Sequence, residues 1–261
     1  MARAVSTVID VTICLLLVSV SVLTLSMAVP DAAETRSIDG EHTVSSIGTI
    51  TTTIPIHEDR TAHDTIAGHF ITATIENGSL GGKSVSGSTY PTAVQQNVPD
   101  HLPERTHLTV RWRPYPDAPL RGELSTGTEP PSTADVSVRR WTHNSRMNSN
   151  ESADSFEAIA LSMSRAYVTR LFPPERTRLD LVDSRTAAHT TERYRTFAET
   201  IDVDIGDELA NARPARANDR LIEELSERLE TDLESRYSSV SAAKDDETIG
   251  EIEFTVRRWE L

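Results

Sequence analysis

Cysteine is nearly absent from this chain of 261 residues, since Cys14 is the only one. A single cysteine cannot form an intrachain disulfide, so the folded part must be stable without that cross-link. The residues just before it, "VTI", lack the small residue that a lipoprotein signal carries ahead of its cysteine. The sequence therefore argues against both a disulfide framework and lipid attachment at Cys14.

Lysine is almost as rare. Among the 26 basic residues only Lys83 and Lys244 are lysines, while 40 residues are acidic and the formal charge is −14. No basic stripe is available to neutralise phosphates, which argues against nucleic acid as a partner. An acidic surface poor in lysine is typical of proteins that work in strong brine, where 1 M salt screens charges within about 3 Å. An ordinary acidic protein encoded by a GC-rich genome is the alternative interpretation.

Motifs that would mark an enzyme are also missing. The chain has no G-x-S-x-G, no P-loop and no GxGxxG, and its only cysteine lies in an apolar stretch. His57, His63 and His69 are spaced six residues apart, which fits neither one helix face nor the pairs that bind zinc. We therefore expect no catalytic residues, no metal site and no cofactor.

Long apolar runs are confined to the N-terminus, where Val11 to Val29 are nineteen residues without a formal charge. That length matches a helix crossing a bilayer. Arg3 precedes the stretch and acids follow it, so the positive-inside rule predicts a cytoplasmic N-terminus and an extracellular C-terminal domain. The expected anchor residues are Val11, Leu15, Leu16, Leu17, Leu23 and Leu25. A cleaved signal peptide, with Ser26 and Ala28 at the cleavage site, is the competing interpretation.

Asp10 stands at the edge of this apolar stretch. A carboxylate there can be solvated at the level of the lipid headgroups, which is the simpler interpretation. It could also form an ion pair with the N-terminus of a neighbouring subunit, and it is then an assembly contact.

The segment "RAVSTVIDV", followed by a span rich in Leu, Val and Ser, resembles the N-terminus of haloarchaeal type IV pilins. It is still more similar to the uncharacterised haloarchaeal pilin-like membrane proteins that occur with Tad-type secretion and pilus genes. The resemblance covers residues 3–30. It implies an N-terminal hydrophobic helix that carries an extracellular α+β domain, with other pilin-like subunits as partners.

A short motif recurs three times in the rest of the chain, as "HLTVRW", "DVSVRRW" and "EFTVRRW". Its alternation predicts three strands of one sheet that each bury one face. The residues expected to face the core are Leu108, Val110, Val136, Val138, Phe254 and Val256. The three tryptophans of the protein, Trp112, Trp141 and Trp259, end these strands. The neighbouring arginines Arg111, Arg139, Arg140, Arg257 and Arg258 are expected to be exposed or stacked on the rings.

Helical periodicity replaces this alternation between the second and third copies. "FEAIALSMSRAYVTRL" predicts a helix that starts after a cap at Asn150, Ser152 or Asp154 and stops at Pro173 and Pro174. "NDRLIEELSERLETDLESRY" predicts a second helix, capped by Asn218, and Thr191–Ile201 a third, weaker one. The apolar stripe of the second helix, Ile222, Leu225, Leu229 and Leu233, is expected to face the core; a coiled seam for a partner is the alternative.

These elements predict an α+β fold in which a mainly antiparallel sheet is packed by two or three helices, preceded by a transmembrane helix. The predicted units are the anchor at 1–30 and an extracellular domain at 31–261. Within the domain, residues 31–145 are strand-rich, 150–240 helical and 250–261 the final strand. "GSLGGKSVSGS" is expected to be a flexible loop. Asn77 and Asn150 begin glycosylation sequons that an extracellular domain would expose.

The sequence therefore predicts a non-catalytic, membrane-anchored cell-surface protein, a pilin-like component of an archaeal pilus or secretion apparatus. The expected partners are the lipid bilayer and other pilin-like subunits. The alternative is a surface domain that binds a ligand or glycan through the Arg/Trp strands. A secreted hydrolase is a third, more distant interpretation.

Overall fold

The first described elements form a hairpin that leads directly into a helix. A computed structural model describes residues 47–57, 60–149 and 152–260. Strands β1 (Thr51–His57) and β2 (Arg60–Thr65) pair antiparallel. Helix α1 (Ile66–Glu76) follows at once, because the hydroxyl of Thr65 accepts a hydrogen bond from the backbone N–H of Gly68 and caps the first turn.

The larger sheet has six strands, and all of its pairings are antiparallel. These strands are β3 (Gly78–Leu80), β4 (Lys83–Ser84), β5 (Thr106–Trp112), β6 (Leu120–Gly127), β7 (Asp135–Asn144) and β8 (Glu251–Glu260). Their order across the sheet is β4-β3-β6-β5-β8-β7. The three copies of the repeated motif are thus strands of one sheet, as predicted, and β8 lies between the other two. The end of the chain is therefore held inside the sheet.

Six α-helices fill the interval between β7 and β8, and another follows α1 ahead of β5 in the described part of the chain. They are α2 (Tyr90–Asn97), α3 (Phe156–Leu171), α4 (Pro174–Val182), α5 (Ala187–Ile201), α6 (Gly206–Ala210), α7 (Pro214–Arg236) and α8 (Val240–Asp245). The prediction of an α+β fold with an antiparallel sheet and several helices is confirmed. Across the ranges the structure describes, none of these helices has the length and apolar character to cross a bilayer. The stretch Val11–Val29 lies outside those ranges.

One face of the sheet packs against the helices. Leu108, Val110 and Phe254 are fully buried there, and the Trp112 ring stacks on Tyr167 of α3 at 5.0 Å between ring centroids. The indole N–H of Trp112 donates a hydrogen bond to the carbonyl of Ile249. Burial of this tryptophan therefore leaves no polar atom unpaired.

The valines of β7 correct one part of the predicted pattern. In the β7–β8 register Val138 is opposite Arg257 and Trp141 is opposite Phe254. Directly opposite residues share a face of the sheet, so Val136 and Val138 lie on the other side from Val256. Val138 is 44% exposed. The prediction that these two valines face the core was wrong, because β7 is the edge strand and buries part of Trp141 instead.

One prediction for a loop and two for helix caps were also wrong. Helix α3 is capped by Ser155, whose hydroxyl accepts from the N–H of Ala158, rather than by one of the three earlier residues predicted. The Gly78–Ser88 segment is not a flexible loop, since β3 and β4 form a tight hairpin whose Gly81 and Gly82 have positive φ. Asn218 does not cap a helix, because α7 begins earlier, at Pro214. Its buried amide instead accepts from the Tyr194 hydroxyl at 2.7 Å and donates to the carbonyl of Phe172 at 2.8 Å.

Candidate functional site

The repeated strands do not bring the three tryptophans onto one exposed surface. Trp112 is 2% exposed and Trp259 is 7% exposed. Trp141 is half-buried and stacks on Phe254 at 5.3 Å between ring centroids. By the register, Trp259 lies opposite Val136, on the face away from Trp112 and Trp141. The strands therefore present no shared aromatic platform for a ligand.

Three arginines of the motif, Arg111, Arg139 and Arg140, are exposed as predicted, whereas Arg257 and Arg258 in β8 are half-buried. Arg111 is half-exposed and donates two hydrogen bonds to the carboxylate of Glu123, at 3.0 and 3.1 Å. This bidentate pair raises the pKa of Arg111. Arg139 and Arg140 are exposed on the edge strand. An exposed ion pair of this kind contributes little to stability.

The apolar stripe of α7 is used inside the domain. Leu225, Leu229 and Leu233 are fully buried and Ile222 is 7% exposed. Helix α7 packs along α3. The core interpretation of this stripe is confirmed, and the stripe is not free to form a seam with a partner.

Most of the predicted site residues lie outside the described residues. These are Asp10, the anchor residues Val11, Leu15, Leu16, Leu17, Leu23 and Leu25, and the sequon residue Asn150. Asn77 is described and exposed, at the C-terminal end of α1. Its amide nitrogen, the atom that a glycan would join, donates a hydrogen bond to the carbonyl of Glu123 at 2.6 Å.

A concave site that the sequence did not predict lies among β2, α1 and the ends of α3, α4 and α5. We call it the polar pocket; it has a volume of about 250 Å³. Its charged lining residues are Arg60, Asp64, Glu76, Arg170, Arg176, Asp180 and Arg193, and its neutral or titratable polar ones include His63, Ser88, Tyr90, His189 and Thr190. A cavity in which polar groups converge is the usual form of a small-molecule site.

Each carboxylate of the polar pocket already has a cation beside it. Asp180 contacts Arg60 at 3.3 Å and Arg176 at 3.9 Å. Glu76 contacts Arg193 at 3.6 Å, with both side chains less than one fifth exposed. The hydroxyl of Ser88 donates to the second oxygen of Glu76. These pairings fix the positions of the charged groups in the pocket wall.

Asp64, the third carboxylate, is seated by a close approach to Gly68. It lies 3.8 Å from Arg146, and its Oδ1 accepts from the N–H of Thr65 at 2.7 Å. A Cβ added at Gly68 would come within 2.2 Å of this carboxylate. Glycine at this position therefore allows the carboxylate to fold back over the first turn of α1.

Arg170 differs from the other arginines of the pocket. It donates from Nη2 to the hydroxyl of Thr72 at 3.0 Å, and no carboxylate of the described residues lies within ion-pair distance. Its Nε is buried and has no acceptor among those residues. Burial, together with the nearby charge of Arg146, lowers the pKa of Arg170.

Arg193 lies across the pocket on α5. Its guanidinium carbon is 5.3 Å from the centroid of the Phe172 ring, a cation–π arrangement. Within the described ranges its buried Nε and Nη2 find no hydrogen-bond acceptor, although Nη2 faces Glu76 at ion-pair distance. Arg170 and Arg193 thus both line the polar pocket and both carry guanidinium nitrogens without a hydrogen-bond acceptor among the described residues.

Tyr90 lines the polar pocket and is hydrogen-bonded to the buried side chain of His69. The Nε2 of His69 is 3.0 Å from the carbonyl of Thr52, which can only accept, so this nitrogen carries the proton. Nδ1 then accepts from the Tyr90 hydroxyl. Burial, with the nearby Glu76 and Asp64, raises the pKa of Tyr90, which keeps the phenol protonated as a donor. This pair joins β1, α1 and α2, and it offers no activated nucleophile.

The polar pocket suits binding through hydrogen bonds and charge. No group of three metal-ligating side chains converges within the described parts of the chain. The lining residues come from five segments between Ile56 and Arg193. No local motif joins them, which is why sequence reasoning missed the site. The only signal in the sequence was that Arg170 and Arg193 stand beside the apolar residues of α3 and α5.

Of the comparisons with known proteins, only the one with protein-family models gives a match. No curated protein and no solved structure matches the chain. A family model described as "Family of unknown function (DUF7284)" matches residues 9–259. Because this match spans nearly the whole sequence, the chain belongs to that family.

Proposed function

We propose that this protein is a non-catalytic cell-surface component, held in the membrane by its N-terminal segment, with the α+β domain outside the cell. The observation that carries the proposal is the nineteen-residue uncharged stretch Val11–Val29. The family match begins at residue 9, so it includes this stretch and Asp10. A segment within the family's shared sequence is a reasonable place for a shared function.

The proposed mechanism is lateral association of like subunits, as in a pilin-like component of a pilus or secretion apparatus. The N-terminal helices pack side by side in the membrane or in a filament stem. Asp10 pairs with the N-terminus of a neighbour and sets the register between helices, because an ion pair is stronger at the edge of the bilayer than in bulk water. The acidic domain is then presented to the medium.

Membrane retention tests the anchor. Deleting residues 1–30, or introducing Leu16→Arg with Leu17→Arg, should move the protein from the membrane pellet to the supernatant. An arginine opposes insertion by about 2.5–3.5 kcal/mol at the centre of the span, and by less at positions 16 and 17, which lie nearer its N-terminal end. A matched control carries Leu179→Arg with Val182→Arg, because both side chains are over 70% exposed on α4. A deleted chain that still pellets with membranes would contradict the anchor.

Cross-linking in membranes tests the association. Asp10→Asn should leave the protein in the pellet and reduce the yield of cross-linked oligomers. Asp31→Asn, which changes an acid beyond the other end of the stretch, is the control. Equal cross-linking of the two variants would count against a role of Asp10 in assembly.

Ligand binding at the surface is a second candidate, but the structure favours a different place for it. The Arg/Trp strands bury Trp112 and Trp259 on opposite faces of the sheet. The polar pocket is instead the concave site with converging donors. A binding function therefore concerns that pocket.

A further inference from the structure

We propose that the polar pocket binds a small oxyanion, a phosphate or carboxylate group, between the guanidinium groups of Arg170 and Arg193. The proposal goes beyond the anchoring role, because it assigns a ligand to the folded domain. It rests on unused donors, on the local balance of charge and on the size of the cavity.

The two arginines carry buried N–H donors that lack acceptors in the described part of the chain. The Nε of Arg170 and the Nε and Nη2 of Arg193 are buried without hydrogen-bond acceptors among the described residues. A buried donor without an acceptor is destabilising, and more so when the donor carries charge. An oxyanion has several acceptor oxygens and no donors to satisfy, so it complements two such groups at once.

The balance of charged residues in the pocket indicates that the ligand is negatively charged. Four arginines and three carboxylates line the pocket. Asp64, Glu76 and Asp180 each have a basic partner within 4 Å. Arg170, by contrast, has no acidic partner within that distance among the described residues. Burial and Arg146 lower the pKa of Arg170, whereas Glu76 and Asp64 raise it to a smaller extent. The pocket therefore has an excess of positive charge in a protein whose formal charge is −14.

The volume and the lining of the polar pocket determine the size of the ligand and the way in which it is recognised. A volume of about 250 Å³ accepts a phosphate or a short carboxylic acid rather than a nucleotide or an oligosaccharide. Phe172 supports one face of Arg193 and so limits the directions in which its N–H groups point. The hydrogen bond from Arg170 to Thr72 does the same for the second guanidinium. Both donors are held in place before a ligand arrives, which lowers the entropy lost on binding.

Titration calorimetry on the full-length chain in detergent tests the proposal. Inorganic phosphate and malate are titrated separately, each against sodium chloride at equal ionic strength. We expect saturable binding of at least one oxyanion and none of chloride. The separate titrations with phosphate and malate distinguish a phosphate site from a carboxylate site. Calorimetry is preferable to thermal shift alone, because phosphate stabilises folded proteins generally by exclusion from their surface.

Arg170→Gln should weaken the binding about tenfold or more, since it removes a charged donor facing the ligand. Arg165→Gln is the matched control on the same helix: it is exposed and does not line the polar pocket, so binding should stay within about twofold. If Arg170→Gln loses its circular dichroism signal, Arg170→Lys replaces it. Arg170→Lys keeps the positive charge but lacks Nε. It should weaken the binding of the oxyanion as much as Arg170→Gln.

Two results would overturn the proposal. One is the absence of saturable binding of phosphate and malate to the wild-type chain. The other is equal binding by the Arg170 and Arg165 variants. Neither result affects membrane retention, which depends on residues 1–30, so failure of the oxyanion site and failure of the anchor are distinguishable.

Discussion

Gly122 in β6 lies in close contact with the backbone of helix α1. A Cβ at this position would be 2.1 Å from the backbone carbonyl oxygen of Thr74, and a backbone atom cannot turn aside as a flexible side chain can. Gly122→Ala should therefore lower the free energy of unfolding by about 3 kcal/mol, at the upper end of the effects of overpacking. Urea denaturation followed by circular dichroism measures it.

Gly48→Ala is the control for this prediction. Nothing lies within 4 Å of a Cβ built there, and Gly48 does not have a positive φ. Its free energy of unfolding should be unchanged or slightly higher, because alanine restricts the unfolded chain. Equal destabilisation by both substitutions would contradict the close approach of α1 to β6.

His107 gives the fold a dependence on pH. Burial lowers its pKa below the usual 6.5, and its Nδ1 has no hydrogen-bond partner in the described part of the chain. The nearby Glu129 raises the pKa and Arg257 lowers it, both less strongly than burial acts. The unfolded state thus binds a proton more readily than the folded state. The contribution of His107 to stability is therefore complete above pH 6.5 and declines as the pH falls through the lowered pKa.

The measurement is the urea midpoint between about pH 7 and pH 5. It should fall towards pH 5 in the wild-type chain and fall less in His107→Gln, which cannot titrate. His143→Gln is the control, since His143 lies against Phe254 on the other face of the sheet. An identical pH profile for wild type and His107→Gln would refute this assignment.

At the scale of elements, the repeated motif has different consequences in a central and an edge strand. Val256 in β8 is 3% exposed, whereas Val138 in the edge strand β7, at the same place in "VRRW", is 44% exposed. Val256→Ala should lower the free energy of unfolding by about 2 kcal/mol. Val138→Ala should change it by less than about 0.5 kcal/mol. Chemical denaturation of the two variants side by side measures both, and equal losses would contradict the order of strands.

The motif also shows how much of the fold the sequence could predict. Alternation and helical periodicity located β5, β7, β8, α3 and α7, because long periodic segments bury one face. The orientation of β7 was missed, since an edge strand need not bury its valines. The short strands β3 and β4 were missed because glycine-rich composition is typical of both loops and tight hairpins.

The candidate site was not predictable in the same way. Arg170 and Arg193 lie on different helices, and the sequence gives no indication that both point into one cavity. The cavity forms where β2, α1, α3, α4 and α5 come together in the fold. A single sequence does not report contacts of this kind, whereas the apolar stretch Val11–Val29 is visible because it is continuous.

For the whole molecule, the excess of acidic residues predicts a response to salt. The formal charge of −14 produces self-repulsion, which 1 M salt screens within about 3 Å. Raising sodium chloride from about 0.1 M to about 1 M should therefore increase the urea midpoint of the protein. A midpoint that falls over this range would contradict the interpretation of the acidic surface as an adaptation to brine.

The central claim is that the N-terminal apolar segment stays on the mature protein and holds it in the membrane. Mass spectrometry of the N-terminal peptide from natively expressed protein, with pellet and supernatant analysed separately, tests it most directly. The account predicts protein in the membrane pellet whose first residue lies at or before Ser6, so that Val11–Val29 is intact. Protein recovered from the supernatant and beginning near Val29 would contradict it.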